Sequence, residues 1–324
     1  MRAFIEPLLE LSGYEDMTKA ARKPGLVTVS GCIDAQKPHM IYALGRAKKK
    51  RLIVTFHEQK AKELYEDYLF FDPDAVYYPA KDVLFYQSDI RGNLLTAERI
   101  SALRAIHERE NVTVITTFDA MMNTMPPANQ IWDSVVHIAP GDTLNLEELV
   151  AQLVRMGYER EYQVEQIGQF ALRGGILDIF PLTEENPSRI EMWDDEVDTI
   201  RTFDVESQKS IENSKELVIY PACELVLTEN QKRAGMEKLL KEAETFSGKL
   251  RKEMKTEEAH RALSQAKELA QEWEELSETA GMDAYLSYFC KERMGLLDYF
   301  DPGETLLFFD EMSRSAERGR QTEL

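Results

Sequence analysis

One stretch of this sequence, Gly168–Pro181, has side chains suited to binding another molecule and reads GQFALRGGILDIFP. Arg173 stands there directly before the pair Gly174-Gly175, and the continuation from Arg189 reads RIEMWDDE. Arg189 and Glu191 are two residues apart, so on a strand their side chains leave the same face. The planar fork of an arginine can meet a carboxylate in two parallel hydrogen bonds, which is the chemistry of a binding surface.

The same stretch has the composition of a small antiparallel sheet. Phe170, Leu172 and Ile176 are strand formers, and the glycine pair interrupts them as a turn or bulge would. Charged and apolar residues alternate from Arg189 to Met192, as expected for a half-buried strand. The plain interpretation is a sheet with one packed face and one solvent face, and the charged side chains add the hypothesis of a binding surface.

A second stretch, Gly31–Pro38, has part of the spacing of the phosphate-binding loop G-x-x-x-x-G-K-[ST]. Gly31 and Lys37 keep the first glycine and the lysine, whereas Gln36 replaces the second glycine and Pro38 replaces the hydroxyl residue. Proline offers neither an N–H for phosphate nor a hydroxyl for Mg²⁺, and Gln36 adds a Cβ where the backbone must approach closely. A strand–loop–helix crossover with Pro38 at the helix start is an equally good interpretation. Both interpretations predict no ATP hydrolysis.

The elements around this loop alternate between strands and helices, which predicts an α/β fold with a parallel sheet. The predicted strands are 26–30 (buried), 51–55, 75–79, 112–116 and 135–138, with a terminal strand at 305–309. The main predicted helices are 59–69, 96–107 and 146–156, the last ending at Gly157, and long helices over 228–278.

Changes in this pattern predict three domains. Residues 1–139 form the α/β domain, residues 140–226 an inserted β-rich domain, and residues 227–324 a helical segment that returns to the α/β domain as a strand. The terminal strand is followed by a polar tail, which suggests a piece of a longer protein.

The composition excludes some classes of function. A net charge of −19 argues against broad adhesion to DNA or to anionic membranes, because both require a positive field. The three cysteines are far apart and lack CxxC spacing, which fits free thiols in the cytoplasm and no zinc site. No apolar run has the length of a signal peptide or of the roughly 20 residues that cross a membrane.

An aromatic group could stack on nucleic-acid bases, and it consists of Tyr77, Tyr78, Phe85 and Tyr86. Since no stripe of lysine or arginine accompanies these rings, packing in a core is the favoured interpretation. Binding of DNA remains a weaker hypothesis for this chain.

The RGGILDIFP block and the stretch from Arg189 to Ser210 resemble the UvrB-like module at the start of the bacterial transcription-repair coupling factor family (Mfd). The same order continues outside them, in Val76–Ala80 with Glu98-Arg99 and in Leu296–Phe300 before Phe308–Glu311, where a Walker B motif has faded. The resemblance covers nearly the whole chain. It implies a RecA-like, P-loop-type sheet corresponding to UvrB domain 1a, an inserted domain like UvrB domain 2, and a helical segment like domain 1b.

In that family the inserted domain imitates UvrB and recruits the repair protein UvrA. The resemblance implies contacts from five positions, namely Arg160, Phe170, Arg173, Arg189 and Glu191. Arginine beside an aromatic residue is a common composition of a binding hot spot. One departure is Ala171, where UvrB has a further arginine, so the contact with UvrA is expected to be weaker or differently shared.

UvrB itself is the alternative, an ATP-dependent helicase and excision-nuclease subunit that binds nucleotide and DNA. UvrB keeps an intact phosphate loop and an aromatic β-hairpin that grips DNA. Here Gly31–Pro38 is eroded, and the segment from Tyr86 to Glu98 is too short for that hairpin. The resemblance to the coupling factor therefore implies a module without catalysis or cofactor.

The family further implies what lies outside these residues. Its members bind RNA polymerase and DNA through other domains, and use ATP and Mg²⁺ in a translocase motor that displaces stalled polymerase. The C-terminal region of the resting protein masks the UvrA surface. A chain without that region is expected to expose it.

Overall fold

The computed structural model describes residues 2–81, 90–275 and 282–322 of the 324-residue chain. Contacts divide the chain into two units. The first consists of Met1–Asp82, Ser101–Asn123 and Gly295–Leu324, and the second of Val83–Ile100 and Thr124–Met294. The second unit holds both the β-rich segment and the long helices after it, so this division differs from the three predicted domains, whose boundaries stay a prediction.

The strands of the described residues are β1 Lys50–Thr55, β2 Val76–Tyr78, β3 Val112–Thr117, β4 Val136–Ile138, β5 Glu159–Arg160, β6 Gln169–Arg173, β7 Ile176–Ile179, β8 Ser188–Trp193, β9 Glu196–Phe203, β10 Ser210–Asn213, β11 Leu217–Ile219 and β12 Thr305–Phe309. The α-helices are α1 Arg2–Ile5, α2 Tyr14–Ala21, α3 Lys37–Gly45, α4 Glu58–Leu69, α5 Ile90–Glu108, α6 Phe118–Met122, α7 Ala128–Trp132, α8 Leu146–Arg155, α9 Glu229–Lys252, α10 Thr256–Glu275, α11 Leu286–Phe289 and α12 Met312–Thr322.

The first unit contains a parallel sheet in the order β12-β1-β3-β2. Every residue of β3 is buried, as expected for an interior strand whose two faces are both covered. Helix α4 packs Ala61, Leu64 and Tyr68 against Ile53 of β1 and Ile115 of β3. The predicted α/β class is confirmed, and so is the return of the terminal strand, which pairs with β1.

Two predicted strands are corrected by the structure. Residues 26–30 form no strand and are exposed, because their apolar side chains have no partner strand among the described residues. Residues 136–138 do form a strand, but β4 pairs antiparallel with β11 instead of joining the parallel sheet. Apolar and β-branched residues favour a strand in both cases but do not specify its partner.

The second unit contains a six-stranded sheet in the order β10-β9-β8-β7-β6-β5. The pairs from β6 to β10 are antiparallel, and β5 pairs parallel with β6. Gly174 and Gly175 join β6 to β7 as a two-residue turn, and Gly174 has a positive φ of 61° that glycine adopts at low cost. One face of the sheet packs Phe170, Leu177 and Ile190 against Leu149 and Leu153 of α8. The opposite face is therefore free to carry polar side chains.

The predicted long helices are confirmed as α9 and α10, while residues 276–278 lie outside the described residues. Thr228 caps α9 in a capping box with Gln231, which accounts for the helix start. Trp273 of α10 is buried with Leu239 of α9 and with Leu225, which precedes the helices. This core lies within the second unit and holds the two long helices together.

The aromatic group predicted to pack is partly described. Tyr77 and Tyr78 are buried, so packing is confirmed for these two rings. Phe85 and Tyr86 lie outside the described residues, as does the beginning of the segment predicted to be too short for a hairpin. The rest of that segment, from Ile90, lies on helix α5.

Candidate functional site

The predicted binding residues Arg173, Arg189 and Glu191 lie on one face of the six-stranded sheet. Register pairs Asp178 of β7 with Arg189 of β8, and Ile176 of β7 with Glu191. Arg173, the last residue of β6, pairs with Ile176. Since paired residues of antiparallel strands share a face, all three predicted residues leave the sheet on the side opposite its main core.

Asp178 organises this face. Its carboxylate is buried and accepts hydrogen bonds from Nη2 of Arg173 at 2.7 Å and from Nε and Nη2 of Arg189 at 2.7 and 2.9 Å. Two arginines on neighbouring strands therefore share one aspartate. A buried carboxylate requires such compensation, because its desolvation without a partner is costly.

The two arginines differ in how completely they are held. The Arg189 side chain is 18 % exposed, grips Asp178 with two nitrogens, and lies 4.5 Å above the ring of Phe203. Its hydrogen bonds with Asp178 raise its pKa, against the opposing effect of burial. The Arg173 side chain is 40 % exposed and uses one nitrogen on Asp178. Arg173 is therefore the more accessible guanidinium of this pair and has more donors left for another molecule.

Glu191 lies on the same face and forms a second polar pair. It forms an ion pair with Arg201 of β9 and accepts a hydrogen bond from Oγ1 of Thr199 at 3.1 Å. The hydrogen bond from Arg201 is the main reason that the pKa of Glu191 lies below its usual range. Glu191 consequently stays charged at neutral pH.

The other two predicted positions are not brought to this face. Arg160 of the edge strand β5 is exposed, but register pairs it with Phe170 instead of with Arg173. The Phe170 side chain is fully buried in the main core of the sheet. Phe170 therefore offers no surface to a partner in this structure and contributes by fixing β6.

Ala171, the departure from UvrB, is also buried. It pairs with Asp178 and packs with Val164, Phe180 and Phe203. This small core lies beneath the arginines, because Phe203 is the ring under Arg189. An alanine side chain fits there without a charge to compensate.

Sequence reasoning missed three residues of the face, Asp178, Arg201 and Trp193. Asp178 had a signal, since a charged residue inside the apolar run ILDIF must find a partner when buried. Arg201 also had one, because it lies two residues from Thr199 and Phe203 in an alternating strand. Trp193 continues the alternation of Arg189 and Glu191, and its indole is exposed.

The first unit contains the other predicted site, at Gly31–Pro38. Gly31 has a φ of +88°, residues 34–36 form a short 3-10 helix, and α3 begins at Lys37. Nζ of Lys37 lies 2.7 Å from Oδ1 of Asp34 and 2.7 Å from Oδ1 of Asp310, directly after β12. The lysine of the loop therefore contacts two carboxylates of its own chain.

The ion cluster around Lys37 extends further. Lys60 of α4 lies 2.9 Å from Oδ2 of Asp34, and Glu311 lies 3.8 Å from Lys37. Hydrogen bonds from Lys37 and then from Lys60 lower the pKa of Asp34 to about 2. Burial lowers the pKa of Lys37, but its hydrogen bonds with Asp310 and Asp34 outweigh this and raise it.

A cavity of about 360 Å³ lies beside this cluster. It is lined by Asp34, Ala35, Lys37, Lys60, Glu63, Leu64, Glu66, Asp67 and Asp310. Two lysines face five carboxylates there, so the lining repels a polyphosphate. Gln36 ends the 3-10 helix and Pro38 is buried in the first turn of α3, where it has no N–H to donate.

No group of three His, Cys, Asp or Glu side chains among the described residues is arranged to hold a metal ion. No helix among them has both the length and the apolar character to cross a membrane.

The chain is similar in sequence to a known domain family and to several known proteins. Residues 136–225 match the model of the UvrB interaction domain. This range contains the whole polar face, which consists of Arg173, Asp178, Arg189, Glu191 and Arg201. The transcription-repair-coupling factor of Bacillus subtilis (strain 168) is 34 % identical over 276 residues, which cover 84 % of this chain and 23 % of the relative.

Two staphylococcal relatives have the same name. That of Staphylococcus aureus (strain Mu50 / ATCC 700699) is 33 % identical over 71 % of this chain and 20 % of its own length. That of Staphylococcus haemolyticus (strain JCSC1435) is 35 % identical over 56 % of this chain and 16 % of its own length. The chain spans less than a quarter of the curated relatives it matches. It is thus a UvrB-like module of the transcription-repair-coupling factor family, and its residues 136–225 form a UvrB interaction domain.

Proposed function

We propose that this module recruits UvrA by presenting the surface that UvrB would present, and that it does so without catalysis. The observation that carries the proposal is the common face of Arg173, Arg189 and Glu191 inside the matched interaction domain. A face of this composition suits a partner with carboxylates, because a guanidinium binds them in two parallel hydrogen bonds.

The local charge supports such a partner. The polar face carries three arginines, at 173, 189 and 201, and two carboxylates, at 178 and 191, within a chain of net charge −19. A local positive excess on an acidic protein favours approach by an acidic patch of the partner. Arg160, exposed on the edge strand, is proposed as an outlying contact, and Phe170 as support for β6.

The first unit is proposed to be a scaffold without ATPase activity. Lys37 would have to bind a phosphate in an active loop, yet Asp34 and Asp310 occupy its ammonium group. Gln36 and Pro38 supply neither the close backbone approach nor the hydroxyl that a nucleotide with Mg²⁺ requires. We therefore propose no cofactor for these 324 residues.

The longer protein is proposed to have the activity that this chain lacks. Its other domains would bind RNA polymerase and DNA, and an ATP- and Mg²⁺-dependent translocase motor would displace stalled polymerase. Its C-terminal region would mask the polar face at rest, so the isolated chain should bind UvrA more readily than the whole protein does.

Titration of purified UvrA into this chain, by calorimetry, tests the proposal. We expect saturable binding by the wild type and an affinity loss of about 2 kcal/mol for Arg173→Ala, the value typical of a central arginine hot spot. Arg233→Ala on the exposed side of α9 is the matched control and should bind as the wild type does. Equal binding by wild type and Arg173→Ala, or no binding by either, would contradict the site.

A further inference from the structure

Trp193 is the feature of the second unit that the charged face does not explain. Its side chain is 80 % exposed at the end of β8, whereas Trp273 of the same unit is buried in the helical core. Tryptophan is highly buried on average, and an exposed indole next to a polar face with arginines has the composition of an interface.

The position of Trp193 on the sheet is set by its hairpin. Trp193 pairs with Glu196 across the turn to β9, and Asp194 in that turn has a φ of +59°. Glu191 and Trp193 are alternate residues of β8, and the irregularity of this pairing lies in β9, where Met192 pairs with Val197 after Glu191 pairs with Thr199. The indole therefore shares its face with Glu191.

The neighbouring strand leaves the indole uncovered. The amide of Met192 donates to the carbonyl of Gly175 at 2.8 Å, which continues the register of Ile176 with Glu191 toward the glycine turn. In this register Gly174 falls opposite Trp193, and a Cβ built on Gly174 would meet no atom within 4 Å. The glycine pair thus places no side chain beside the indole. The nearest apolar residue of that face, Ile176, is 37 % exposed.

We propose that Trp193 and Ile176 form the apolar half of the docking surface whose polar half is Arg173, Arg189 and Glu191. The occupant is UvrA, through an apolar pocket bordered by at least one carboxylate, so that the indole enters the pocket while Arg173 binds the carboxylate. This inference rests on the proposed function. Tryptophan and arginine are the residues that most often dominate the energy of an interface, and they do so at a desolvated centre.

The charges around the indole support this occupant. Arg173 stands directly before the glycine pair, on the β6–β7 hairpin that neighbours Trp193. Trp193 itself is followed in the chain by three acidic residues, Asp194, Asp195 and Glu196. Trp193 therefore has an arginine on the side of the binding surface and acidic residues on the side of the turn. A partner with an acidic group beside its pocket matches this order, and a partner with a uniformly acidic surface would be repelled by the turn.

The test is a UvrA titration of three variants beside the wild type. Trp193→Ala is expected to weaken the affinity at least about 30-fold, the change that corresponds to 2 kcal/mol for a hot-spot residue. Trp193→Phe keeps an aromatic ring and should lose less than about 5-fold. Ile211→Ala, on the exposed far edge strand β10, is the matched control and should bind as the wild type does. Thermal unfolding of all variants should match the wild type, because both mutated side chains are mostly exposed.

The outcomes separate this inference from the proposed function. If the wild type binds UvrA and Trp193→Ala binds like Ile211→Ala, the apolar half is overturned while UvrA recruitment stands. If the wild type does not bind UvrA, both are overturned. A selective loss in Trp193→Ala that Trp193→Phe largely restores supports the inference.

Discussion

The ion cluster around Lys37 in the first unit and the polar face of the second unit both pair basic side chains with a buried aspartate. Only the polar face leaves a cation accessible to a ligand. Lys37 is 18 % exposed and contacts Asp34 and Asp310 at once. Arg173 is 40 % exposed and gives one nitrogen to Asp178. A cation satisfied by two carboxylates has little left for a ligand, whereas a partly satisfied arginine can still bind one.

The difference has a geometric origin. Lysine is a compact point charge that several carboxylates can surround, and the cluster brings Asp34 and Asp310 from two sides of the loop. Arginine has donors on separated nitrogens, so Asp178 can anchor one edge of Arg173 without consuming the others. The ammonium group of Lys37 is thus used within its own chain, whereas the guanidinium group of Arg173 remains partly available at the surface.

Removing the anchor of the polar face should have the largest effect on stability. Asp178→Ala leaves the Arg189 guanidinium largely buried without its carboxylate, and the loss of one partner of a buried pair costs about 3 kcal/mol. Urea unfolding measures the change. Asp198→Ala on the exposed side of β9 is the control, with an expected change below about 0.5 kcal/mol. Equal unfolding free energies for the two variants would mean that Asp178 does not organise this face.

Removing the ammonium group of Lys37 should lower the free energy of unfolding by less than Asp178→Ala does, and it should leave UvrA binding intact. Lys37→Met deprives the buried carboxylate of Asp310 of its ion pair, and we expect a loss of about 2 kcal/mol in the free energy of unfolding. The control is Lys19→Met, whose exposed pair with Glu15 should contribute less than about 0.5 kcal/mol. A fall in UvrA affinity with Lys37→Met would contradict the separation of the two regions.

Acid should weaken both regions, with the smallest effects. The pKa of Asp34 is about 2 in the folded chain, below its ordinary 3.8, so its stabilising contribution is present above pH 3.8 and is lost as the pH falls toward 2. The pKa of Glu191 is lowered as well, so its contribution is lost below the ordinary 4.5. Asp34→Asn and Glu191→Gln should each flatten the acid limb of the stability–pH curve. Curves parallel to that of the wild type would show that these ion pairs do not contribute to the acid limb.

The fold was predictable where local pattern determines the outcome. Apolar runs between helices predicted the four paired parallel strands, and the glycine pair predicted the β6–β7 turn. Pairing partners were not predictable, because an alternating run such as 136–138 suits either sheet and 26–30 lacks a neighbour among the described residues. Strand propensity reflects burial against neighbours, which a single sequence does not give.

The site was predictable to the extent that strand periodicity applies. A separation of two residues predicted that Arg189 and Glu191 share one face, whereas the place of Arg173 beside them follows from the register of β6, β7 and β8. The same periodicity puts Phe170 on the opposite face from Arg173, three residues away, and the structure buries it. The sharing of Asp178 by two arginines depends on the register of β7 with both β6 and β8, which the alternation within a single strand does not give.

Parallel calorimetric titrations of this chain with UvrA and with ATP–Mg²⁺ would show which of the two regions binds a ligand. We expect saturable binding of UvrA and no binding of ATP–Mg²⁺. Saturable binding of ATP–Mg²⁺ without binding of UvrA would contradict this expectation.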